Sequence, residues 1–182
     1  MGNLKVVGIC GSLREDSFNR KLLNCAKSIV FEMGCNMTEA DLRELGLPVF
    51  NADMEGGELP ENVKSFKKMV EEAHVVVIAS PEYNYSISGV LKNALDWLSK
   101  GGKNSLNSKI AVIMGASTGA YGTVRGQNHL RQILSCLNVI VLPQPQIMIP
   151  FADTAFNTDG SLKDEKTAVM LRRLLQTTLN PK

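Results

Sequence analysis

The sequence predicts an α/β three-layer sandwich, a five-stranded parallel sheet with helices on both faces. Short runs rich in β-branched residues alternate with stretches of helical period along the whole chain, the pattern of successive βα units. Four of those runs are apolar almost throughout, as parallel strands covered on both sides must be. The 182 residues, 44% of them apolar and 21% charged, are enough to close one hydrophobic core. With no repeat, linker or break in composition, residues 1–182 are expected to form a single domain.

Taken in order, Leu4–Cys10 reads as the first strand. Phe18, Leu22, Ala26, Ile29 and Met33 then share one face at helical spacing. Asn36–Glu44 is a weaker strand whose polar residues suggest an edge. Pro60 suits the first turn of a second helix, with Val63, Phe66, Val70 and Ala73 facing inward. Val75–Ser80 is the third strand, followed by a helix carrying Leu91, Leu95 and Leu98 inward. Lys109–Ala116 is the fourth, followed by a stripe of Leu130, Ile133, Leu134 and Leu137. Asn138–Leu142 closes the sheet. The last helix is expected to start at a Ser161 cap with Asp164 three positions on, to bury Ala168, Leu171, Leu175 and Thr178, and to stop at Asn180-Pro181. Right-handed crossovers leave few strand orders for such a sheet, and ligands bind at the carboxyl ends of its strands, beside the point where the order reverses.

Several classes drop out. The longest apolar runs, Val75–Ala79 and Ile110–Met114, fall far short of the roughly 20 residues of a spanning helix. The N-terminus has no secretory signal pattern, so the expected location is the cytoplasm. Cys10, Cys25, Cys35 and Cys136 form no C-x-x-C pair and read as reduced core thiols, with no metal site. Net charge is only +2, yet residues 97–152 hold Lys100, Lys103, Lys109, Arg125 and Arg131 and no Asp or Glu. That segment either draws small anions or simply contains buried strand, where acids would be absent anyway. Its cations lack the interleaved aromatics of a nucleic-acid surface.

Three loops carry chemistry. Gly11-Ser12-Leu13-Arg14-Glu15-Asp16-Ser17-Phe18-Asn19 leads into the first helix, where hydroxyls, a guanidinium and helix amides can converge on one phosphate dianion. The triphosphate and dinucleotide signatures G-x-x-x-x-G-K-[ST] and G-x-G-x-x-G are missing, so a monophosphate fits best. The same residues also suit a plain capped helix start, with Ser17 as cap and Arg14 in solvent. Ser80-Pro81-Glu82-Tyr83-Asn84-Tyr85-Ser86-Ile87-Ser88-Gly89, before the third helix, offers flat surface and polar groups to the edge of an aromatic ring, or else a tight turn with its tyrosines on the surface. Lys92 and Asp96 read as a solvated i,i+4 pair. Gly115-Ala116-Ser117-Thr118-Gly119-Ala120-Tyr121-Gly122, after the fourth strand, has small residues that let a planar ligand lie close to the backbone.

This last loop also matches the G-x-S-x-G nucleophile elbow. No Asp or Glu occurs between Ser117 and Asp153, and the next histidine, His129, is in the following helix, so the Ser-acid-His order cannot be assembled. Ser117 is therefore read as a hydrogen-bonding residue and His129 as a helix-surface or subunit-contact residue. A phosphoacceptor receiver domain is excluded by the lack of acids at the ends of the first and third strands.

Together, GSLREDSFNRKLL, SPEYNYSISGVLKNALDWLS and RGQNHLRQIL after GASTG resemble the NAD(P)H-dependent FMN reductase family, in its branch of soluble quinone and chromate reductases. The resemblance implies a flavodoxin-like fold with strand order 2-1-3-4-5. It implies an FMN phosphate against Ser12, Arg14, Ser17 and Asn19, with Gly11 and Phe18 shaping the cup. It sets the isoalloxazine against Pro81, Glu82, Tyr83, Asn84 and Tyr85, and against Ser117, Thr118 and Gly119. Glu15 and Asp16 beside the cup are expected to face solvent, and Asn128 stands where some relatives carry an aromatic residue used between subunits.

The implied reaction is a ping-pong hydride transfer from NADH or NADPH, through flavin N5, to a quinone or to chromate, an azo compound or free flavin. No side chain is expected to act as catalyst, and amides of the Tyr83–Asn84 loop and the nearby helix start would favour negative charge on the reduced ring. A homodimer or homotetramer is implied. The rival reading is an FMN-binding electron carrier or redox-sensing module, to which the near-neutral net charge is poorly suited.

Overall fold

The computed structural model describes residues 4–180. Strand β1 (Lys5–Cys10) pairs in parallel with β2 (Asn36–Ala40) on one side and β3 (Val75–Ala79), the middle strand, on the other. Strand β4 (Ile110–Ala116) continues beyond β3 and is followed by the short β5 (Ile140–Val141). The order β2-β1-β3-β4-β5 is the flavodoxin-like order implied by the resemblance. Among the described residues, no helix is long and apolar enough to cross a membrane.

Because successive strand residues point to opposite faces, each strand feeds two cores. Val6, Cys10, Val77, Val112 and Met114 pack beneath α1 (Phe18–Glu32) and α6 (Glu165–Leu179). Val7, Ile9, Val76, Ile78 and Ile113 pack beneath α3 (Glu61–Glu72), α4 (Gly89–Ser99) and α5 (Val124–Cys136). The apolar stripes anticipated from helical spacing supply both layers, including Leu22, Ala26, Phe66, Val70, Leu91, Leu95, Leu130 and Leu134. Pro60 immediately precedes α3, and Lys92 bonds Asp96 at 2.7 Å on the solvent side of α4.

Four expectations are corrected. Asn36–Glu44 is strand only as far as Ala40, because the Asp41 carboxylate accepts the Arg43 N–H at 2.9 Å and starts the short helix α2 (Leu42–Leu45). Asn138–Leu142 shrinks to β5, after which Pro143 and Pro145, without N–H donors, interrupt the ladder. The outer lane resumes as β6 (Ile147–Ile149), which pairs with the far end of β4 at Met114–Ala116. The cap of α6 is Asp164, which accepts from Thr167 N–H at 2.9 Å, while Ser161 instead donates to Asp159 in a preceding turn. Cys136 is exposed, since the inward face of α5 is taken by Leu130 and Leu134; all four thiols are free. Pro181, the expected helix stop, lies outside the described residues.

One buried cation escaped the sequence. The Lys67 ammonium donates to the carbonyls of Trp97, Leu98, Lys100 and Lys103 at 2.7–3.2 Å, closing the negative end of α4. Burial pushes its pKa below the usual amine value. In the sequence it is one more polar residue beside Phe66, and only the folded neighbourhood of α4 reveals its partners.

The tightest glycine is Gly115 in β4, where an added Cβ would lie 2.1 Å from Thr123 Oγ1 and 2.4 Å from the Ser80 carbonyl oxygen. The second of these is backbone and cannot swing aside. Gly115→Ala is therefore expected to lower stability by about 2–3 kcal/mol or more, read as a drop in the urea midpoint at unchanged slope.

Candidate functional site

The strand order reverses between β1 and β3, so the switch-point crevice lies above the carboxyl ends of β1, β3 and β4. At Gly11 the chain passes so close to α4 and the next loop that a Cβ would sit 3.1 Å from Leu91 and 3.2 Å from Pro81. The Ser17 hydroxyl caps α1, accepting the N–H groups of Asn19 at 3.2 Å and Arg20 at 3.4 Å. The Ser12 hydroxyl accepts the Arg14 N–H at 3.3 Å. With backbone donors on their lone pairs, both hydroxyls keep their own O–H for an outside acceptor, a donor set suited to an anion.

Arg14 is exposed, its Nη2 donating to the Asp16 carbonyl at 3.2 Å and its guanidinium carbon 5.7 Å from the centre of the Phe18 ring. Glu15 and Asp16 do point to solvent. The Asp16 carboxylate is held by Lys21 at 2.9 Å, and that hydrogen bond keeps its pKa below the usual range, so its charge is matched away from the cup.

Asn19 lines the cleft and its side chain also bonds backbone across the sheet edge. Its Nδ2 donates to the Ala116 carbonyl and its Oδ1 accepts the Ala116 N–H, both at 2.9 Å and both buried. The side chain thus straps the start of α1 to the end of β4. A second strap is Ser88, the cap of α4, whose hydroxyl donates to the Gly11 carbonyl at 2.5 Å. The sequence placed Ser88 in the second loop without marking it as a cap, although a serine directly before Gly89 and an apolar helical stripe is the usual start signal.

In the second loop, Tyr83 and Ser86 exchange backbone hydrogen bonds of 2.9 and 3.0 Å, forming a tight turn with Asn84 and Tyr85 at its tip. Both tip residues have positive φ, 49° and 67°. The Tyr83 N–H is used inside this turn, which removes it from the amides expected to face a reduced ring. Glu82 turns away from the turn: its Oε2 accepts the N–H groups of Arg125 and Gly126, each at 2.9 Å, and so caps α5. That side chain ties the second loop to the helix after the third.

The third loop is bound to β6. Ser117 N–H donates to the Ile149 carbonyl at 3.0 Å, and the Ser117 hydroxyl accepts the Gly119 N–H at 3.2 Å. His129 contacts the Ser86 hydroxyl at 3.2 Å, so the histidine nearest in sequence does not serve as a base to Ser117. Tyr121 and Arg125, to which the sequence assigned no role at the site, lie at this rim: the Arg125 guanidinium carbon is 4.3 Å from the centre of the Tyr85 ring and 4.8 Å from that of Tyr121.

The three loops enclose a cleft of about 180 Å³. Of the residues expected at the site, Gly11, Asn84, Tyr85 and Gly119 do not line it; the others do, joined by Ala116. A larger hollow of about 490 Å³ lies between α1 and α6, beside Cys25, Ile29, Leu162 and Val169, and gathers none of them. The cleft over the sheet is the one with convergent donors at a helix start, and it is the candidate site.

Comparison with known proteins bears on what such a cleft does. Residues 4–154 match the family described as NADPH-dependent FMN reductase. The chain belongs to this family. It is 41% identical over 174 residues to an NAD(P)H-dependent FMN reductase of Pseudomonas aeruginosa, covering 96% of this chain and 92% of that one. It is also 41% identical over 175 residues to an NAD(P)H:quinone oxidoreductase of Solanum tuberosum, covering 94% and 89%. Among solved structures, the flavoenzyme NAD(P)H:(acceptor) oxidoreductase FerB of Paracoccus denitrificans superposes with a TM-score of 0.84 at 32% identity over 97% of this chain and 95% of that one. As a member of the family the chain is a flavin-dependent oxidoreductase that uses NAD(P)H.

The residues present fit the family's flavin: two hydroxyl donors, a guanidinium and a helix start meet at one end of the cleft, and a flat turn and a loop of small residues border the other. The rim depends on Glu82. Glu82→Ala should cost about 1–2 kcal/mol through loss of the α5 cap, seen as a lower urea midpoint.

Proposed function

We propose that the chain is a single flavodoxin-like domain that reduces quinones with NAD(P)H, the fourteen residues anticipated in the three loops forming its FMN site. The observation that carries this is the pair of buried hydroxyls, Ser12 and Ser17, whose oxygens accept backbone N–H groups, that of Ser12 from Arg14 in the loop and that of Ser17 from Asn19 and Arg20 at the positive end of α1. Such a cup holds a monophosphate, with Arg14 closing its exposed side. Asn19 serves the site by fixing the Ala116–Ser117 backbone rather than by touching the phosphate with its side chain.

When bound, FMN supplies the two-electron chemistry, accepting hydride from NAD(P)H and passing it to an oxidant in a second half-reaction at the same place. The protein's own part is position and access. Pro81 stiffens the approach to the ring, the Tyr83–Ser86 turn borders it, and Ser117 and Thr118 close the other side. The exposed tyrosines leave one face of the cleft open, in keeping with a broad range of small oxidants: quinones, with chromate, azo compounds and free flavin as alternatives. The relative from Solanum tuberosum, named a quinone oxidoreductase, supports the choice of quinones. The exposed outer face of α5, with Asn128, Gln132 and Cys136, is proposed as the contact surface of a homodimer or homotetramer, and four free thiols suit the cytoplasm.

Purified protein is expected to be yellow and, mixed with NADPH, to lose its flavin absorbance near 450 nm and regain it on addition of 1,4-benzoquinone. A bound flavin that stays oxidised in NADPH would point to an electron carrier instead. Arg14→Ala should weaken FMN retention roughly tenfold, by equilibrium dialysis, with the far-ultraviolet circular dichroism unchanged. Equal flavin occupancy in mutant and wild type would remove Arg14 from the cup.

A further inference from the structure

The hollow of about 490 Å³ between α1 and α6 lies on the opposite face of the sheet from α3, α4 and α5 and has no part in the cleft. Cys25 and Ile29 of α1, Ala168 and Val169 of α6 and Leu162 of the turn before α6 supply its apolar wall. Cys25 and Ala168 are small, so the two helices meet across a space that larger side chains would have filled. A hollow of this size with a mostly apolar wall is what a small organic molecule occupies.

The space is braced by bonds on its own rim. The Cys25 thiol donates to the Gly160 carbonyl at 3.3 Å, which fixes the turn to α1. Within that turn the Asn157 N–H donates to the Ser161 carbonyl at 2.8 Å, and Phe156 pairs with Leu162. Farther along, Arg172 of α6 bonds Glu32 of α1 and sets the separation of the helices. A site held open before its ligand arrives binds without a cost of ordering.

The charges on the wall are unequally matched. Lys21 and Arg172 each bond an acid outside the hollow, Asp16 and Glu32. Asp159 and Glu165, which line it, form no ion pair among the described residues; Asp159 accepts the Ser161 N–H and O–H, both through Oδ1. Burial pushes the Cys25 thiol above its usual pKa and the charge of Asp159 pushes the same way, so that carboxylate is felt at the apolar wall. The surplus charge is negative. It disfavours the flavin phosphate and the dinucleotide, both anions, and suits a cation.

We propose that this hollow is a binding site for a small amine with an apolar body. The hydrocarbon part packs on Ile29, Leu162 and Val169, and the ammonium is directed to Asp159 and Glu165. Glu165 also suits the positive start of α6, a role that would show in stability and not in binding.

The test titrates the flavin-loaded protein calorimetrically with cyclohexylethylamine, cyclohexylethanol and cyclohexylpropionate, whose aliphatic bodies do not stack on a flavin. Location is read by iodoacetamide labelling of Cys25 followed by peptide mass spectrometry, with the exposed Cys136 as internal control. The amine should saturate with a dissociation constant below about 1 mM. It should slow labelling of Cys25 while Cys136 reacts at an unchanged rate. The alcohol should bind about fivefold more weakly than the amine, and the acid more weakly still. Ala168→Phe, which fills the hollow, should abolish binding with an unchanged far-ultraviolet circular dichroism. Glu165→Gln, at an exposed position, should weaken the amine about fivefold and leave the alcohol unchanged. Absence of saturation by the amine overturns the proposal, as do binding without protection of Cys25 and equal affinity for all three probes. A Glu165→Gln variant that loses stability but keeps wild-type affinity for the amine overturns it too. None of these readouts involves NAD(P)H or a quinone, so the outcome is independent of the function proposed above.

Discussion

Two hydrogen bonds between the Asn19 side-chain amide and the Ala116 backbone set the geometry of the whole carboxyl edge. A buried amide that satisfies both the N–H and the C=O of one residue leaves that residue a single position, because moving it would orphan four polar groups at once. The start of α1 and the end of β4 are fixed to each other by this pair. Ser88 does the same between α4 and Gly11, and Glu82 between the second loop and α5. The loops of this edge are therefore tied by side chains to neighbouring elements, and preorganisation of that kind is what a site that positions a flavin has to provide.

The division of labour at the edge follows from it. Polar residues nearest the strand ends, Ser12, Ser17, Asn19 and Ser88, are buried and directed at backbone, whereas Tyr83, Tyr85, Tyr121 and Arg14 farther out are exposed and free to meet a ligand. Only the hydroxyl protons of Ser12 and Ser17 belong to both groups. The cup is for that reason the most rigid part of the site and the tyrosine rim the most adaptable, which suits one resident flavin and a succession of visiting reactants.

Much of this was legible in the chain. Apolar runs at Val75–Ala79 and Ile110–Met114 can only be strands covered on both faces, and helical stripes such as Leu91, Leu95 and Leu98 leave little choice of inward side. The positions of the three loops followed from the strands. What failed had local causes. Asp41 started a helix within a segment whose polarity suggested an edge strand, and Asp164 outcompeted Ser161 as a cap three residues later. The roles of Asn19, Glu82, Lys67 and Arg125 were not legible because each is defined by partners distant in sequence: Ala116, α5, the end of α4, and two tyrosines on separate loops. A residue type announces what it can bond, and only the fold decides with what.

The divided outer lane beside β4 has a consequence for the molecule in a crowded solution. A continuous border strand presents a row of open N–H and C=O groups on which a foreign chain can grow. Here that border is two short pieces, Ile140–Val141 and Ile147–Ile149, parted by Pro143 and Pro145. A chain attempting to add itself would find no template longer than three residues, so the break guards this flank against the runaway stacking that builds fibrils.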